Sequence, residues 1–531
     1  MKKTSKIVAL LLAVCMLLTM AFSAAAETVD TSKNLLADGR TIIRVVLTGD
    51  PGTFDPFDTG YANAITEIMT AVREGLFYVD PETLELKGLL AESVEVSEYA
   101  KTYTVKIYDY IYDSEGNHMT AEDVKWCLEK CKENVIQSSS YIESVEVLDE
   151  FTVKIQLTSS QIGVWQAVAK LPICTKAGYE NSSNFSVEPV FTGAYKVTGY
   201  VVGSSVTLEA RNDYWQKPEL TASVQQQNVD VIEYNIISDA AQLSIALETG
   251  KVDLIEALDS LTAARFMEDG QYAGQFNVFT YENPLSQMLY LNMDESDIFA
   301  GDENLRKALM YGIDVDAVIE VASNGYGTPA KTFGCNVLAT GYLTSWDEES
   351  YFDYDADYAA QCLAASNYDG RSLRIMCSTS ELHQAIAQMV QAYWLMLGIN
   401  SEILPYDGAL FNTYKNDAKE WDVMVDNTSI GGPIQNLWRR KFDPKNFKEG
   451  QGGANFIKGG ELIDTLYLCI DESTVNDEVT NLFHEQLKEL ACARSLYNAL
   501  NFTIGTPVVE DDYYEMTGFL VPNACTYVWN K

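Results

Sequence analysis

The spacing of apolar residues changes along the chain, and this change most strongly constrains the fold. Residues 41–47 form an almost continuous apolar run, which suits a strand covered on both faces. Over residues 151–157 apolar and polar side chains alternate, as in a strand with one solvated face. Segments 243–255 and 386–404 each read as a helix, a glycine stop and a strand. The sequence therefore predicts an α/β fold with mixed sheets, more antiparallel over residues 100–215.

The chain length predicts several domains, and the composition indicates how they are connected. At roughly 100–200 residues per domain, 531 residues predict about three domains. No Pro- or Ser-rich stretch and no repeat of fixed period separates them. We therefore expect domains that share chain crossovers rather than domains that follow one another in series.

The first 26 residues have the pattern of an export signal. Three lysines within the first six residues precede the apolar run Ile7–Phe22, and Ala24–Ala26 supplies the small residues of a cleavage site. We predict cleavage after Ala26 and an extracellular or cell-envelope location. The apolar run is too short to favour a membrane span, although an uncleaved anchor remains an alternative. Cys15 lies inside the run and is interpreted as part of it; lipidation of Cys15 is the alternative.

The charge balance excludes whole classes of partner. Lys and Arg number 37 against 76 Asp and Glu, which gives a net charge of −39. Removal of the signal segment, with three lysines and no acid, leaves 34 − 76 = −42. So acidic a protein repels phosphate backbones, which excludes nucleic acid as a partner. It is also not attracted to anionic membrane surfaces.

The cysteines and histidines do not form a recognisable metal site or disulfide framework. Nine of the ten cysteines follow the signal segment, in an odd and scattered set with no C-x-x-C pair. Cys127 and Cys131 lie four residues apart on an apolar helical stripe, so we interpret them as buried thiols. His118, His383 and His484 are widely spaced among polar neighbours. We therefore predict no metal site and no cofactor.

Sequence motifs of common hydrolases and nucleotide-binding enzymes are absent. The chain has no G-x-S-x-G, no phosphate-binding loop of the G-x-x-x-x-G-K type and no H-E-x-x-H. Adjacent acids such as Glu348–Glu349 and Asp511–Asp512 arise by chance among 76 acidic residues. We predict a protein that is not an enzyme. A secreted hydrolase is the alternative, since spacing cannot show two carboxylates held across a cleft.

A series of short motifs follows one order between residue 41 and about residue 425. The motifs are Asp50–Pro56, Arg73–Phe77, Leu90–Ser93, Lys101–Ile107, Asp113–Val124, Thr192–Tyr195, Arg211–Trp215, Leu247–Asp253, Leu305–Leu309 and Gly312–Asp314. In this order they resemble the extracytoplasmic solute-binding proteins of the peptide/nickel (oligopeptide- and dipeptide-binding) family of ABC importers. Beyond about residue 440 the resemblance is poor.

The resemblance implies a fold and a function. The fold is two-lobed and periplasmic-binding-protein-like, type II, of the large three-domain peptide-binding class. Its expected parts are the signal peptide 1–26, lobe one (28–75, 195–295 and 500–531), an extra β-rich domain (76–194) and lobe two (296–499). A monomer would close on a ligand, an oligopeptide or another polar small solute, and deliver it to an ABC permease. A binding protein for sensing rather than uptake is the alternative.

One departure from the family bears on the ligand. In peptide-binding members, the segment after a strand like Trp421–Val425 carries an aspartate that pairs with the peptide amine. Here that position falls near Ile430–Gly431, so a peptide ligand is in doubt. Asp426 or Asp58 taking over the role is the alternative. The polar segment Asn427–Ser429 either hydrogen-bonds a neutral solute or forms an ordinary turn.

The resemblance places the expected ligand contacts on three segments. They are Asp58, Thr59, Tyr61 and Asn63 after the first strand; Tyr281, Asn283 and Gln287 at the interlobe crossover; and Asp426, Asn427, Thr428, Ser429 and Trp438 from lobe two. Some family members carry nickel complexes or haem. With three dispersed histidines and no preformed set of ligands, we predict no metal cargo here.

Overall fold

The structure is a computed structural model. It describes residues 32–58, 65–81, 83, 85–97, 101–237, 239–258, 260–295, 297–335, 339–349, 351–429, 432–445, 456–513 and 520–529. The predicted signal segment lies outside the described residues. Within the described ranges, no helix combines the length and the apolar character that a bilayer crossing needs.

Helices and strands alternate along the described chain, as predicted. The strands are β1 (Ile42–Leu47), β2 (Phe77–Val79), β3 (Leu86–Gly88), β4 (Ala91–Val96), β5 (Thr102–Ile107), β6 (Ile142–Asp149), β7 (Thr152–Leu157), β8 (Tyr195–Val201), β9 (Ser205–Ala210), β10 (Val231–Ile236), β11 (Leu254–Leu258), β12 (Asn277–Leu291), β13 (Gly327–Pro329), β14 (Leu373–Ser378), β15 (Ser401–Tyr406), β16 (Val423–Ser429), β17 (Ala493–Gly505), β18 (Val509–Asp511) and β19 (Thr526–Tyr527). The α-helices are Ile65–Val72, Ala121–Glu133, Val164–Ala169, Lys176–Asn181, Ala240–Glu248, Ser260–Ala263, Glu303–Tyr311, Val315–Ser323, Ala356–Ala365, Glu381–Met396, Gly408–Tyr414, Ile434–Phe442, Glu461–Cys469 and Asp477–Leu490.

One mixed sheet of 11 strands runs through most of the molecule. Its order is β15-β14-β16-β12-β17-β11-β1-β10-β9-β8, and β13 pairs with β17. At one end β1 is parallel to β10 and β11, and at the other β14 is parallel to β15 and β16. The long strands β12 and β17 pair antiparallel at the centre. They connect the two ends, so the domains share crossovers rather than follow in series.

The apolar cores divide the chain on either side of β12 and β17. One core joins β1 and β10 to strands β4–β7, and we call this part the first lobe. A second core consists of residues between 288 and 497, and we call this part the second lobe. A smaller core covers the other face of β1 with helices Ala240–Glu248 and Ser260–Ala263. Strand β1 is thus covered on both faces, as its apolar run predicts, whereas the exact lobe bounds stay a prediction.

The predicted alternating region forms a separate antiparallel sheet with order β4-β5-β7-β6. Along β5 and β7 every second side chain is buried, and the buried residues are Tyr103, Val105, Ile107, Val153, Ile155 and Leu157. Their alternation with polar residues is the period of a strand that packs one face on a core. Helix Ala121–Glu133 packs against β6 and β7 and covers this sheet.

The helix Ala121–Glu133 begins with the predicted cap. The backbone N–H of Thr120 donates to Asp123 Oδ2 at 2.8 Å, which satisfies a donor at the helix start. Cys127 and Cys131 on this helix are buried, as predicted, and the Cys127 sulfur lies 3.8 Å from that of Cys174. All nine cysteines of the described ranges are buried free thiols.

Gly193 holds the start of β8 close to the end of helix Ile65–Val72. Its N–H donates to the carbonyl oxygen of Val72 at 3.0 Å. A Cβ at position 193 would lie 2.4 Å from both the carbonyl carbon and oxygen of Val72. Because these are backbone atoms, no rotamer change can make room, and glycine is required by the close approach.

Substitution Gly193→Ala is therefore expected to destabilise the first lobe. Forcing the two backbone segments apart should cost about 1–3 kcal/mol, measured as the free energy of unfolding in urea. The matched control is Gly301→Ala, where a Cβ meets no atom within 4 Å. That variant should stay within about 0.5 kcal/mol of the wild type. Equal losses in the two variants would contradict the close-approach argument.

Candidate ligand-binding site

The two lobes meet at a second place besides the crossover strands. Arg439 in the second lobe donates through Nη1 to the Tyr141 hydroxyl at 2.7 Å and to Gln161 Oε1 at 3.3 Å. Nearby, the Ile162 N–H donates to the Ile470 carbonyl at 2.9 Å. We call these five residues the latch. The latch therefore joins the two lobes at a second place, apart from the crossover strands.

The pairing of the crossover strands is irregular between the lobes. It moves from Glu282–Leu500 to Ser286–Asn498, so four steps on β12 (286 − 282) match two on β17 (500 − 498). Extra residues on one strand interrupt the ladder and bend the strand. The proline at 284 also has no N–H to donate to a partner strand. We call the interruption between Glu282 and Ser286 the bulge. The backbone hydrogen bonds that connect the two lobes are weakest there.

A row of polar side chains begins where regular pairing resumes in the second lobe. Ser286 on β12 pairs directly with Thr428 on β16 and with Asn498 on β17. Directly paired residues of antiparallel strands point to one face of the sheet, so the three side chains are neighbours. We call Ser286, Thr428 and Asn498 the polar row. All three are buried.

Two atoms of the polar row lack a hydrogen-bond partner within the described part of the chain. They are Ser286 Oγ and Asn498 Oδ1. Leaving a buried polar atom unsatisfied costs about 1–3 kcal/mol, and such atoms are uncommon in native proteins. The polar row is therefore suited to hydrogen bonds with a bound molecule or with water.

A partly buried ion pair lies on the same face as the polar row. Asp426 pairs in register with Met288, two residues from Ser286. Its Oδ2 is 3.7 Å from Lys441 Nζ, and the two side chains are only 15% and 13% exposed. Burial lowers the pKa of Lys441 and the Asp426 carboxylate opposes that shift. Asp426, one of the two alternative anchors for a ligand amine, thus already has a cationic partner.

The other face of the same strands holds a second polar group. Gln287 pairs with Asn427 on β16 and with Tyr497 on β17. The Asn427 amide nitrogen lies 3.2 Å from His383 Nε2. Gln287 Oε1 is buried and has no hydrogen-bond partner among the described residues. Strand alternation therefore separates Asn427 and Gln287 from Asp426 and Thr428.

The alternative that Asn427–Ser429 form an ordinary turn is wrong. Strand β16 continues through Ser429 and pairs with β12 up to Leu285. Tertiary pairing overrides the local preference of Asp, Asn and Ser for turns. The segment keeps its polar groups near the crossover but presents them on two faces.

The other predicted contacts differ in burial, and some of them lie outside the described residues. Asp58 is exposed at the turn after β1, and Tyr281 is half-buried in β12. For Asn283 and Ser429 only the strand position is described, and Thr59, Tyr61 and Asn63 lie outside the described residues. Trp438 is fully buried, its Nε1 donates to the Phe333 carbonyl at 3.1 Å, and its ring packs on Phe483. Trp438 is a core residue, so its predicted ligand contact is not supported.

The expected environment of two histidines is also wrong. His383 and His484 are buried, not set among surface residues. Each lies on an amphipathic helix whose inner face includes the histidine, and this face becomes visible only when the helices pack. Burial lowers the pKa of both, to about 4 for His484, so both are neutral at pH 7.

Sequence reasoning missed Ser286 and Asn498, and the polar row depends on both. A weak signal exists for Ser286, a polar residue within the otherwise mostly apolar segment 285–291. Nothing local indicates that Asn498 is its neighbour, because only the register of β12 against β17 brings them together.

Comparisons with known proteins agree with this architecture. Residues 85–448 match the family described as bacterial extracellular solute-binding proteins, family 5 middle. The glutathione-binding protein GsiB of Shigella flexneri serotype 5b is 26% identical over 366 residues, which cover 67% of this chain and 68% of the relative.

Two solved structures have the same fold. The ABC transporter substrate binding protein CtaP from Listeria monocytogenes superimposes with a TM-score of 0.77 at 19% identity, covering 92% of this chain and 99% of that chain. NikA from Brucella suis, in complex with Fe(III)-EDTA, gives 0.73 at 20% identity, covering 92% and 100%. The predicted class of fold, with two lobes and mixed sheets, is confirmed.

Removing one member of the partly buried ion pair should destabilise the second lobe. Asp426→Asn leaves the Lys441 ammonium without its partner, which should cost about 1–3 kcal/mol, between the costs for exposed and for fully buried pairs. The double variant Asp426→Asn/Lys441→Met should recover most of that loss, measured by urea denaturation.

The matched control is the exposed pair of Lys154 and Glu146, whose nitrogen and oxygen lie 3.5 Å apart with side chains 43% and 63% exposed. Glu146→Gln should cost less than about 1 kcal/mol, since water already screens that pair. A loss in Asp426→Asn no larger than in this control would contradict the role of burial.

Proposed function

Because the chain belongs to family 5 of the bacterial extracellular solute-binding proteins, we propose that it captures a polar solute outside the cytoplasm and delivers it to an ABC importer. The resemblance read from the sequence motifs is thereby confirmed at the level of the family. The observation that carries the proposal for this chain is the polar row. Its unsatisfied atoms lie beside the crossover, where a two-lobed binding protein encloses its ligand.

The proposed cycle uses the two connections between the lobes. The bulge in β12 allows the lobes to rotate apart, and a bound ligand brings them together so that the latch forms. The closed form then docks on the permease and releases the solute. In this scheme the predicted contact Thr428 lines the cleft with Ser286 and Asn498, whereas the predicted contacts Gln287 and Asn427 lie on the other face of the same strands. Tyr281 remains a proposed contact on the first-lobe side of the bulge.

The charges near the polar row favour one class of ligand. Asp426 is paired with Lys441, so a free ligand amine would find its carboxylate already neutralised. A charge that enters a closed site without a partner costs several kcal/mol. We therefore propose a neutral hydrogen-bonding solute rather than a peptide held by its free amine.

The names of the relatives do not narrow the class of ligand further. GsiB is a glutathione-binding protein and NikA was solved with Fe(III)-EDTA, so one fold carries chemically different cargo. Family members are binding proteins, and we propose no catalytic activity for this chain. Signal cleavage after Ala26, a monomeric state and a role in uptake rather than sensing complete the proposal.

Identification of the natural ligand is the direct test. Mass spectrometry of small molecules released from the purified native protein should find a polar solute without an unblocked amine as its main anchoring group. Scattering should then show lobe closure when that solute is added back, without its conversion to a product. Release of free-amine peptides alone would overturn the proposed ligand class but not the importer function.

Titration with peptides tests the role of Lys441. Free-amine di- to pentapeptides should bind the wild type weakly in calorimetry. Lys441→Met releases the Asp426 carboxylate and should strengthen their binding about tenfold or more, which corresponds to about 1.4 kcal/mol. The control Lys415→Met removes a nearby positive charge that contributes to the same environment and should have little effect. Micromolar wild-type binding that is lost on acetylation of the amine and in Asp426→Asn would restore the peptide-anchor interpretation.

Loss of the latch should weaken ligand binding without altering the polar row. Arg439→Ala removes two hydrogen bonds that a charged donor makes across the lobes, each of about 1.5–3 kcal/mol, and so destabilises the closed form. The apparent affinity should fall at least about tenfold, and scattering should show a more open protein at the same ligand concentration. The control Arg265→Ala removes an exposed arginine of the first lobe that interacts with Glu248. Unchanged affinity and unchanged dimensions in Arg439→Ala would contradict the latch.

A further inference from the structure

Three potential metal ligands converge on the second lobe, in a place that shares no residue with the polar row. His484 Nε2 lies 3.9 Å from Glu349 Oε2 and 4.0 Å from Glu485 Oε1. The three ligand atoms all lie within 4.8 Å of one another. His484 and Glu485 belong to helix Asp477–Leu490, whereas Glu349 follows the short 3-10 helix Thr344–Glu348. The convergence is thus a tertiary feature.

The imidazole of His484 is fixed in position. Its side chain is 1% exposed, and its ring stacks between Trp346, at 4.9 Å, and Tyr351, at 5.8 Å between ring centroids. Its Nδ1 lies 2.8 Å from the hydroxyl oxygen of the buried Thr332. When Thr332 accepts the Nδ1 hydrogen, Nε2 carries the free lone pair. Metal-binding histidines are commonly held in this way through their other nitrogen.

The opposite nitrogen of the ring has no ordinary partner. Nε2 is buried and makes no hydrogen bond to any residue in the described part of the chain. It points toward two carboxylate groups, and a lone pair that faces two carboxylates is repelled unless a cation lies between them. The fixed nitrogen and the two oxygens are therefore placed to coordinate a cation.

The chemistry of the donors selects the kind of cation. One imidazole nitrogen with two carboxylate oxygens suits zinc and neighbouring divalent transition metals better than calcium or magnesium, which prefer oxygen alone. Zinc-to-ligand distances are about 2.0–2.2 Å, so the carboxylates must move inward slightly. Their side chains are 40% and 48% exposed, and rotation about their own bonds is enough, while the histidine stays fixed.

We propose that His484, Glu349 and Glu485 bind one divalent transition-metal ion on the second lobe, with water in the remaining coordination positions. The ion would tie helix Asp477–Leu490 to Glu349, which directly follows the 3-10 helix Thr344–Glu348. It is a site separate from the transported solute, and it does not depend on the proposed ligand class. Binding to the folded state alone would raise the melting temperature of the protein.

Calorimetry with zinc on the chelator-stripped, full-length mature protein tests the proposal. We expect one ion per chain and a change in tryptophan fluorescence, because Trp346 stacks on the ligating ring. The variant Glu349→Gln/Glu485→Gln should bind at least about tenfold more weakly. The control Glu348→Gln/Glu489→Gln removes the same charge from exposed neighbours on the same two segments and should bind like the wild type.

Further variants separate this site from other sources of binding. His484→Gln, with its fold checked by circular dichroism, should abolish the tryptophan signal, whereas His383→Gln should leave it unchanged. Equal affinity of the two double variants, binding weaker than millimolar in the wild type, or calcium binding as tight as zinc would each overturn the proposal. A lower melting temperature without any loss of zinc affinity in His484→Gln would also contradict it.

Discussion

The antiparallel pairing of β12 with β17 is the constraint on which the rest of the structure depends. These are the two strands through which the sheet passes from the first lobe to the second. Their register decides which residues of the second lobe become neighbours across the sheet, including Ser286 and Asn498. The interruption in that register also decides where the lobes can rotate. Scaffold and candidate site are therefore consequences of one ladder of hydrogen bonds.

The second lobe contains both uncharged and charged polar groups beside one apolar core. The polar row offers neutral hydrogen-bonding atoms that the described protein does not satisfy, whereas Asp426 and Lys441 satisfy each other. A buried charge without a partner would be far more costly than an unsatisfied hydroxyl. The site therefore keeps its neutral groups available and its charges paired, which is the arrangement expected of a receptor that discriminates by hydrogen bonding.

Local sequence patterns predicted the elements whose cause is local. The alternation over residues 151–157 predicted β7, and the Thr120–Asp123 pair predicted the start of helix Ala121–Glu133. The features that were predicted wrongly depend on residues far away in the sequence. The continuation of β16 to Ser429 depends on β12, and the burial of His383 and Trp438 depends on how helices pack. The amino-acid sequence does not show the register between strands that are far apart in the chain. The polar row, which depends on that register, could therefore not be predicted.

The nine buried thiols have a consequence for the folding of the protein. In the native structure each sulfur is shielded, so oxidants in the surroundings have little access to it. Before the cores form, the same sulfurs are open to random disulfide exchange, which proceeds over seconds to hours. Proteins of this family are extracellular, and thiols outside the cytoplasm are open to oxidation. Whenever the chain folds under oxidising conditions, burial of its thiols therefore competes with the formation of wrong disulfides.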